Sequence, residues 1–212
     1  YILGSTYFLN ISFQLKESKP WAPKGFEIAK EQFRIPSKVT NSNFAISSSS
    51  EKITLETENK IIVSSKLFKA EISKRTGFLT SYQYMGSSLI TDPLVPCFWR
   101  VPTDNDEGGG NNSYAARWRE AGLDEYLVMV KDIRTIPADS GFIALKTTSV
   151  LKFKAGLMEV TTYFAFNGKG EISMDYNVKL LNDFPPLARV GIEFAMPASY
   201  NQLSWFGRGP FE

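Results

Sequence analysis

The sequence predicts an all-β protein whose antiparallel strands form a large sandwich. The chain has 212 residues, of which 43% are hydrophobic and 14% are aromatic, a composition that favours sandwiches and carbohydrate-binding surfaces alike. Apolar and polar residues alternate with a period of two in several segments, which is the pattern of a half-buried strand. Turn-forming pairs and triplets, such as Glu58-Asn59 and Arg75-Thr76-Gly77, separate these segments.

Residues 1–36 are expected to hold the last strands of a sandwich, at 5–16 and near 27–35. One face of the first strand is apolar and is expected to be half-buried: Tyr7, Leu9, Ile11, Phe13 and Leu15. An isolated hairpin is only marginally stable in water, so we expect this pair of strands to pack against other strands or against the domain that follows. The polar, turn-rich segment 37–43 is interpreted as a linker.

Residues 44–212 are expected to form an incomplete second sandwich domain. Its clearest hairpin spans 157–180 around the turn Asn167-Gly168-Lys169-Gly170. Further strands are predicted at 44–49, 52–57, 60–65, 68–73, 78–84, 143–151 and 188–196.

One short helix is predicted within 111–122. Asn112 or Ser113 is suited to cap its start, and Gly122 is suited to end it. We expect the buried face of this helix to be shared by Tyr114, Trp118 and Ala121.

Composition excludes several classes of function. The chain lacks histidine, so His-dependent triads, His-zinc sites and His acid–base pairs cannot lie within it. Its single cysteine, Cys97, excludes an internal disulfide and is expected to be a small buried hydrophobe. The net charge of +2 and the absence of a basic stripe argue against nucleic acid, and no apolar run is long enough to span a membrane.

The segment 98–110, F-W-R-V-P-T-D-N-D-E-G-G-G, has the composition of a functional loop. Its oxygen-bearing side chains would suit a hard cation or sugar hydroxyls, although the spacing is not that of an EF-hand. The alternative is a turn in which these side chains bond their own backbone. The candidate residues are Asp104, Asn105, Asp106, Glu107, Gly108 and Gly109.

The same loop could also be interpreted as a phosphate-binding loop or as a pair of catalytic carboxylates. Its glycine run lacks the flanking pattern of a phosphate loop, so we interpret it as a flexible hinge. Retaining glycoside hydrolysis needs two carboxyl groups about 5–5.5 Å apart. Asp104 and Asp106, two positions apart, would lie roughly 7 Å apart on a strand, so we expect no catalytic residue in this chain.

Aromatic and basic side chains near this loop and at residues 205–212 allow two interpretations. Trp99, Trp205, Phe206 and Arg208 would form a sugar-stacking platform, or the aromatic rings fill a core. Arg100 and Arg208 are expected to form structural ion pairs with the loop carboxylates.

Several motifs in order resemble the C-terminal part of the multi-domain β-galactosidases of glycoside hydrolase family 2. Residues 98–108 match F-W-R-A-P-T-D-N-D-x-G, with Val101 in place of the common alanine. The other matches are 6–35 to the end of the immunoglobulin-like domain, R-T-G-F-L at 75–79, the W-x-x-A-G helix within 114–122, L-A-R-V-G-I-E-F at 187–194 and W-F-G-R-G-P-F-E at 205–212.

The resemblance implies that this chain is part of a longer parent protein, which hydrolyses terminal β-galactosides with retention of configuration. It also implies that different domains of that protein have different tasks. The family's catalytic glutamates lie on a barrel upstream, so this chain is expected to be inactive alone and to partner the barrel and other domains of the parent. Its own last domain would be an incomplete, galactose mutarotase-like supersandwich whose loop 107–112 forms a mobile lid near the active-site entrance.

The resemblance also bears on ligands and assembly. It implies no cofactor in this chain, with any magnesium or sodium of the parent bound elsewhere. It further implies a β-galactoside or oligosaccharide as the parent's ligand and a homo-oligomeric parent. The rival hypothesis is a stand-alone carbohydrate-binding β-sandwich that uses Trp99, Trp205 and the acidic loop. The sequence makes no prediction of compartment, because any targeting signal would lie upstream of Tyr1.

Overall fold

The computed structural model describes residues 6–36, 54–136 and 142–204. The chain divides into two compact units, Tyr1–Ala45 and Ile46–Glu212. The predicted linker and the predicted strand at 44–49 lie outside the described residues. The N-terminal unit contains strands β1 (Tyr7–Gln14) and β2 (Glu27–Ile35).

In the second unit, the described residues form eleven further strands and two short α-helices. The strands are β3 (Thr54–Glu56), β4 (Lys60–Ser64), β5 (Phe68–Ser73), β6 (Leu79–Tyr84), β7 (Ser87–Ser88), β8 (Val95–Cys97), β9 (Leu127–Ile136), β10 (Phe142–Lys152), β11 (Leu157–Asn167), β12 (Ile172–Leu180) and β13 (Gly191–Glu193). The helices are α1 (Asp104–Glu107) and α2 (Tyr114–Ala121), with a 3-10 turn at Gly110–Asn112 between them.

The N-terminal unit is an antiparallel hairpin, as predicted. Tyr7 lies opposite Ile35 and Phe13 lies opposite Ala29. The predicted half-burial of its apolar face is confirmed for Tyr7 and Leu15 at the ends. It is wrong for the middle of the strand, since Leu9 is 51%, Ile11 37% and Phe13 64% exposed. The physical reason within this unit is that two strands form a single layer, so neither strand covers the apolar face of the other.

The second unit is an antiparallel sandwich, which confirms the predicted fold class. Within the described residues, one sheet has the order β12-β11-β10-β9, another has the order β3-β4-β5-β6-β7, and β13 pairs with β8. Buried side chains of the first two sheets form one continuous cluster: Ile61, Val63, Phe68, Ala70, Ile72, Leu79, Ile90, Leu145, Phe164 and Phe166. The likeness to galactose mutarotases stays a prediction.

The predicted turn at Arg75-Thr76-Gly77 links the two sheets. The Ser149 hydroxyl on β10 donates a hydrogen bond to the Thr76 carbonyl at 2.8 Å. Gly77 has a φ of +77°, and a Cβ there would lie 2.8 Å from the Ser149 Oγ. Glycine is therefore required at this position both by its backbone conformation and by the close approach of β10.

The hairpin predicted at 157–180 is confirmed as β11 and β12. The buried Asn167 accepts hydrogen bonds from the backbone N–H groups of Lys169 at 3.1 Å and Glu171 at 2.9 Å, which closes the turn. Four strands depart from the predictions. Strands β7, β8 and β9 were not predicted, and the strand predicted at 188–196 is confined to Gly191–Glu193, where it pairs with β8.

Candidate functional site

The Asp-Asn-Asp segment forms the single helical turn α1, which follows Pro102 and Thr103. The Thr103 backbone N–H donates to the Asp106 carboxylate at 2.7 Å, and the Thr103 hydroxyl donates to the same oxygen at 2.9 Å. A side chain at the third helical position that bonds back to the N-cap residue stabilises a helix start. The predicted turn with side-chain-to-backbone hydrogen bonds is thus confirmed for Asp106.

Arg100 holds Asp106 from the other side. Its guanidinium donates to both carboxylate oxygens, at 2.6 and 2.9 Å, which is the bidentate geometry that arginine favours. The guanidinium carbon also lies 5.0 Å from the centroid of the Trp118 ring, within cation–π range. The predicted structural ion pair of Arg100 is therefore confirmed, and it joins α1 to α2.

These contacts control the charge of Asp106. Its pKa is lowered from 3.8 to about 2, first by the side-chain hydrogen bonds from Arg100 and next by the Thr103 backbone N–H. A carboxyl whose pKa is depressed by folding stabilises the fold above its unfolded pKa, and that contribution is lost as the pH falls through the folded value. We expect α1 to be held at neutral pH and to loosen between about pH 4 and pH 2.

Replacing Arg100 with glutamine is expected to raise the pKa of Asp106 toward 3.8, because the largest cause of its lowering is removed. The measurement is an NMR titration of the Asp106 carboxyl carbon in both chains. Arg119→Gln is the matched control, since Arg119 pairs with the neighbouring Glu107 at 2.5 Å rather than with Asp106. An Asp106 titration that is already ordinary in the unmodified chain would contradict this prediction.

The glycine segment separates two anchored ends. Asp106 is anchored before it, and α2 begins after it at Ser113, whose hydroxyl oxygen accepts from the Ala116 N–H at 3.1 Å. Between them, Gly109 and Gly110 have φ values of +102° and +58°, a region that glycine adopts without strain. Glycine therefore supplies the two left-handed conformations between the anchored ends, and the predicted hinge stays a prediction.

Helix α2 confirms the predicted helix and corrects its buried face. Trp118 and Ala121 are buried as predicted, but Tyr114 is 46% exposed and Ala115 is fully buried in its place. The buried stripe runs through positions 115, 118 and 121, so Tyr114 at the first helical position lies outside it. Tyr114 instead packs beside Trp118, with ring centroids 6.0 Å apart, and carries the Arg117 guanidinium over its ring.

The other candidate residues have varied positions. Trp99 is half-buried and packs against the cluster around Trp118 and Phe98. Cys97 is buried and donates its thiol hydrogen to the Trp99 carbonyl at 3.3 Å, as expected for a small buried hydrophobe. Trp205, Phe206 and Arg208 lie outside the described residues.

The remaining polar groups limit the chemistry of this loop. Asp106 accepts its hydrogen bonds from Arg100 and Thr103 at both carboxylate oxygens, so the geometry does not suit it to be a metal ligand or a proton donor. Asp104, Asn105 and Glu107 are exposed. Among the residues that the structure describes, no cluster of three acidic, cysteine or histidine side chains could hold a metal ion.

Sequence reasoning missed Thr103 and Trp118 as partners of the loop. Thr103 had a local signal, because a threonine three positions before an acidic residue is close to the capping-box pattern. Trp118 had no local sequence signal for its contact with Arg100, since that contact depends on how α2 packs.

Comparison with known protein families shows which family the chain resembles. A family model described as the beta-galactosidase small chain matches residues 64–212. The chain belongs to the beta-galactosidase small-chain family. A second family model, beta-galactosidase domain 4, matches residues 2–36, the region of the β1–β2 hairpin.

Proteins named beta-galactosidase also match this chain over nearly its full length. The one from Psychromonas ingrahamii is 32% identical over 99% of this chain and 21% of its own length. Those from Priestia megaterium and Vibrio cholerae are 29% and 28% identical, each over 97% of this chain. The chain spans about a fifth of the length of these curated relatives.

The predicted resemblance to the C-terminal part of a β-galactosidase is thereby confirmed. The described part of this family member contains no helix that is long and apolar enough to cross a membrane. Its α1 and the glycine segment, with the Arg100–Asp106 pair beneath, form the polar surface that the sequence singled out.

Proposed function

We propose that this chain is the non-catalytic C-terminal part of an enzyme that hydrolyses terminal β-D-galactosides with retention of configuration. The observation that carries the proposal is the small-chain family match over 64–212, which joins a sandwich to relatives named beta-galactosidase. In the proposal, the catalytic groups and any magnesium or sodium sites lie elsewhere in the parent, which assembles as a homo-oligomer. The sandwich packs beside the catalytic barrel.

The proposed task of the loop at 107–112, with its base at Asp104–Asp106, is to line the entrance to the parent's active site. Its supporting features are an anchored base and a glycine-rich middle. The base is the doubly hydrogen-bonded Asp106, and the middle is the glycine segment with its positive φ values. A loop of this kind can close over a substrate while its ends stay in place, which excludes water and positions the sugar.

In the complete protein, Asp106→Asn is expected to lower kcat/KM for an aryl β-galactoside by about ten- to a hundredfold. The amide cannot accept a bidentate bond from Arg100, so the base of the loop shifts and the substrate is misplaced. The measurement is steady-state hydrolysis. Asp175→Asn, the same chemical change at an exposed position on β12, is the matched control and should have little effect.

Two results would overturn the proposed function. The first is a complete protein that fails to hydrolyse any aryl β-galactoside. The second is hydrolysis by the isolated 212-residue chain that is abolished by Asp104→Asn or Asp106→Asn, since the chain alone is expected to be inactive. Galactose binding by the isolated chain, with no hydrolysis in the complete protein, would favour the stand-alone carbohydrate-binding module instead.

A further inference from the structure

A surface cavity of about 520 Å³ lies between the end of α2, the turn at 154–155 and the segment 183–185. We name it the α2 pocket. Its volume falls within the roughly 300–1,000 Å³ of small-molecule sites. The residues that line it do not include any of the 98–112 loop, so the inference drawn from it does not rest on the proposed function.

The walls of the α2 pocket are held in place by three hydrogen bonds. The Trp118 indole N–H donates to the Pro186 carbonyl at 2.7 Å, and the Ala155 N–H donates to the Ala121 carbonyl at 3.1 Å. The Asn182 side-chain oxygen accepts from the Leu157 N–H at 2.9 Å. The pocket is thus formed before any ligand arrives, which lowers the entropic cost of binding.

Four charged side chains line the α2 pocket without neutralising one another. They are Arg117, Glu120, Lys154 and Asp183, two of each sign. In the described part of the chain, none of the four forms an ion pair or a side-chain hydrogen bond, and the one charged-group contact is that of the Arg117 guanidinium with the Tyr114 ring. The Nε of Arg117 is buried without any hydrogen-bond partner, although buried polar groups are nearly always paired.

The remaining lining is apolar. Phe184 and Pro185 form one side, and the Phe184 ring is fixed edge-on against Phe153 with centroids 5.8 Å apart. The half-buried Phe184 ring therefore has a defined orientation, and it lines the same pocket as the four charged side chains.

The geometry points to a neutral saccharide as the ligand of the α2 pocket. Sugar hydroxyls both donate and accept hydrogen bonds, so one ring can bond the two carboxylates and the two cations together. The apolar face of the ring can pack against Phe184. An anionic ligand would meet Glu120 and Asp183, whereas a cationic ligand would meet Arg117 and Lys154.

The test uses the complete protein and a thio-linked lactose analogue that carries a diazirine. After photolysis, mass spectrometry is expected to locate label on the peptides that contain Arg117 and Phe184, and excess unlabelled thio-linked lactose is expected to suppress it. Asp183→Asn, a change at an exposed position, should reduce this label at least tenfold. Phe184→Ala should do the same, while Asp175→Asn on β12 should keep it.

Absence of label from both peptides would overturn the saccharide proposal. Label that is suppressed by excess free glycine, a small zwitterion, but not by excess thio-linked lactose would overturn it as well. Equal labelling of the Asp183→Asn protein would also overturn it. Aryl β-galactoside hydrolysis is measured on the same unmodified sample. Labelling without hydrolysis would count against the proposed function alone, and hydrolysis without labelling would count against the α2 pocket alone.

Discussion

Trp118→Ala is expected to lower the free energy of unfolding by about 3–5 kcal/mol, the cost of removing a large aromatic side chain from a core. Trp118 is only 3% exposed and packs in the cluster with Phe98, Leu123 and Met158. Its indole N–H donates to the Pro186 carbonyl at 2.7 Å, so the substitution also leaves that carbonyl without its partner. The change removes packing and a hydrogen bond together.

The effect of Trp118→Ala should extend to the candidate loop, because Arg100 loses the ring beneath it. Urea unfolding followed by far-ultraviolet circular dichroism measures the loss, since the substitution itself alters fluorescence. Tyr114→Ala is the matched control on the same helix, as Tyr114 is 46% exposed. An equal loss for both variants would contradict the assignment of Trp118 to the core.

Phe166→Ala is expected to destabilise the sandwich by a similar amount, about 3–5 kcal/mol. Phe166 is fully buried and lies between the two sheets. Its ring stacks on Phe68 of the facing sheet at 6.3 Å and on Phe164 of its own strand at 6.1 Å. Removing it therefore opens a cavity that connects both sheets.

Tyr163→Ala is the control for Phe166→Ala, because it is the same type of truncation on the opposite face of β11. Tyr163 is 39% exposed and carries the Lys146 ammonium 5.5 Å from its ring centroid. A surface contact of this kind contributes about 0.5–1 kcal/mol. Urea midpoints that fall by equal amounts in the two variants would show that the sandwich core does not lie where the structure has it.

The features that sequence reasoning predicted are those that depend on neighbouring residues. Alternation along 157–180 and the Asn-Gly turn chemistry predicted β11 and β12, because hairpin pairing is local. Strand β9 is an edge strand with Leu127 and Met129 exposed and Val128 half-buried, so its pattern carried little alternation. The short pair of β8 and β13 joins segments far apart in the chain, and neither strand has a local signal for the other.

At the candidate site, too, local features were predictable from the sequence and contacts between distant residues were not. The residue types of the 98–110 segment predicted a polar turn and an ion pair for Arg100, and the structure has both of these. The glycine hinge stays a prediction. The partner of Arg100 was left open among the loop carboxylates. The structure selects Asp106 because the third helical position directs its side chain back toward Thr103, beside Arg100.

Composition, periodicity and ordered motifs were sufficient for the all-β class, the family and the position of the loop. The tertiary structure alone assigned Tyr114 to the surface and Ala115 to the core, and it alone brought Arg117, Lys154 and Asp183 to one pocket. Propensity and turn chemistry act over a few residues, so they can be inferred along the chain. Burial and pocket formation depend on which distant surfaces pack together, and that is determined only when the whole sandwich has folded.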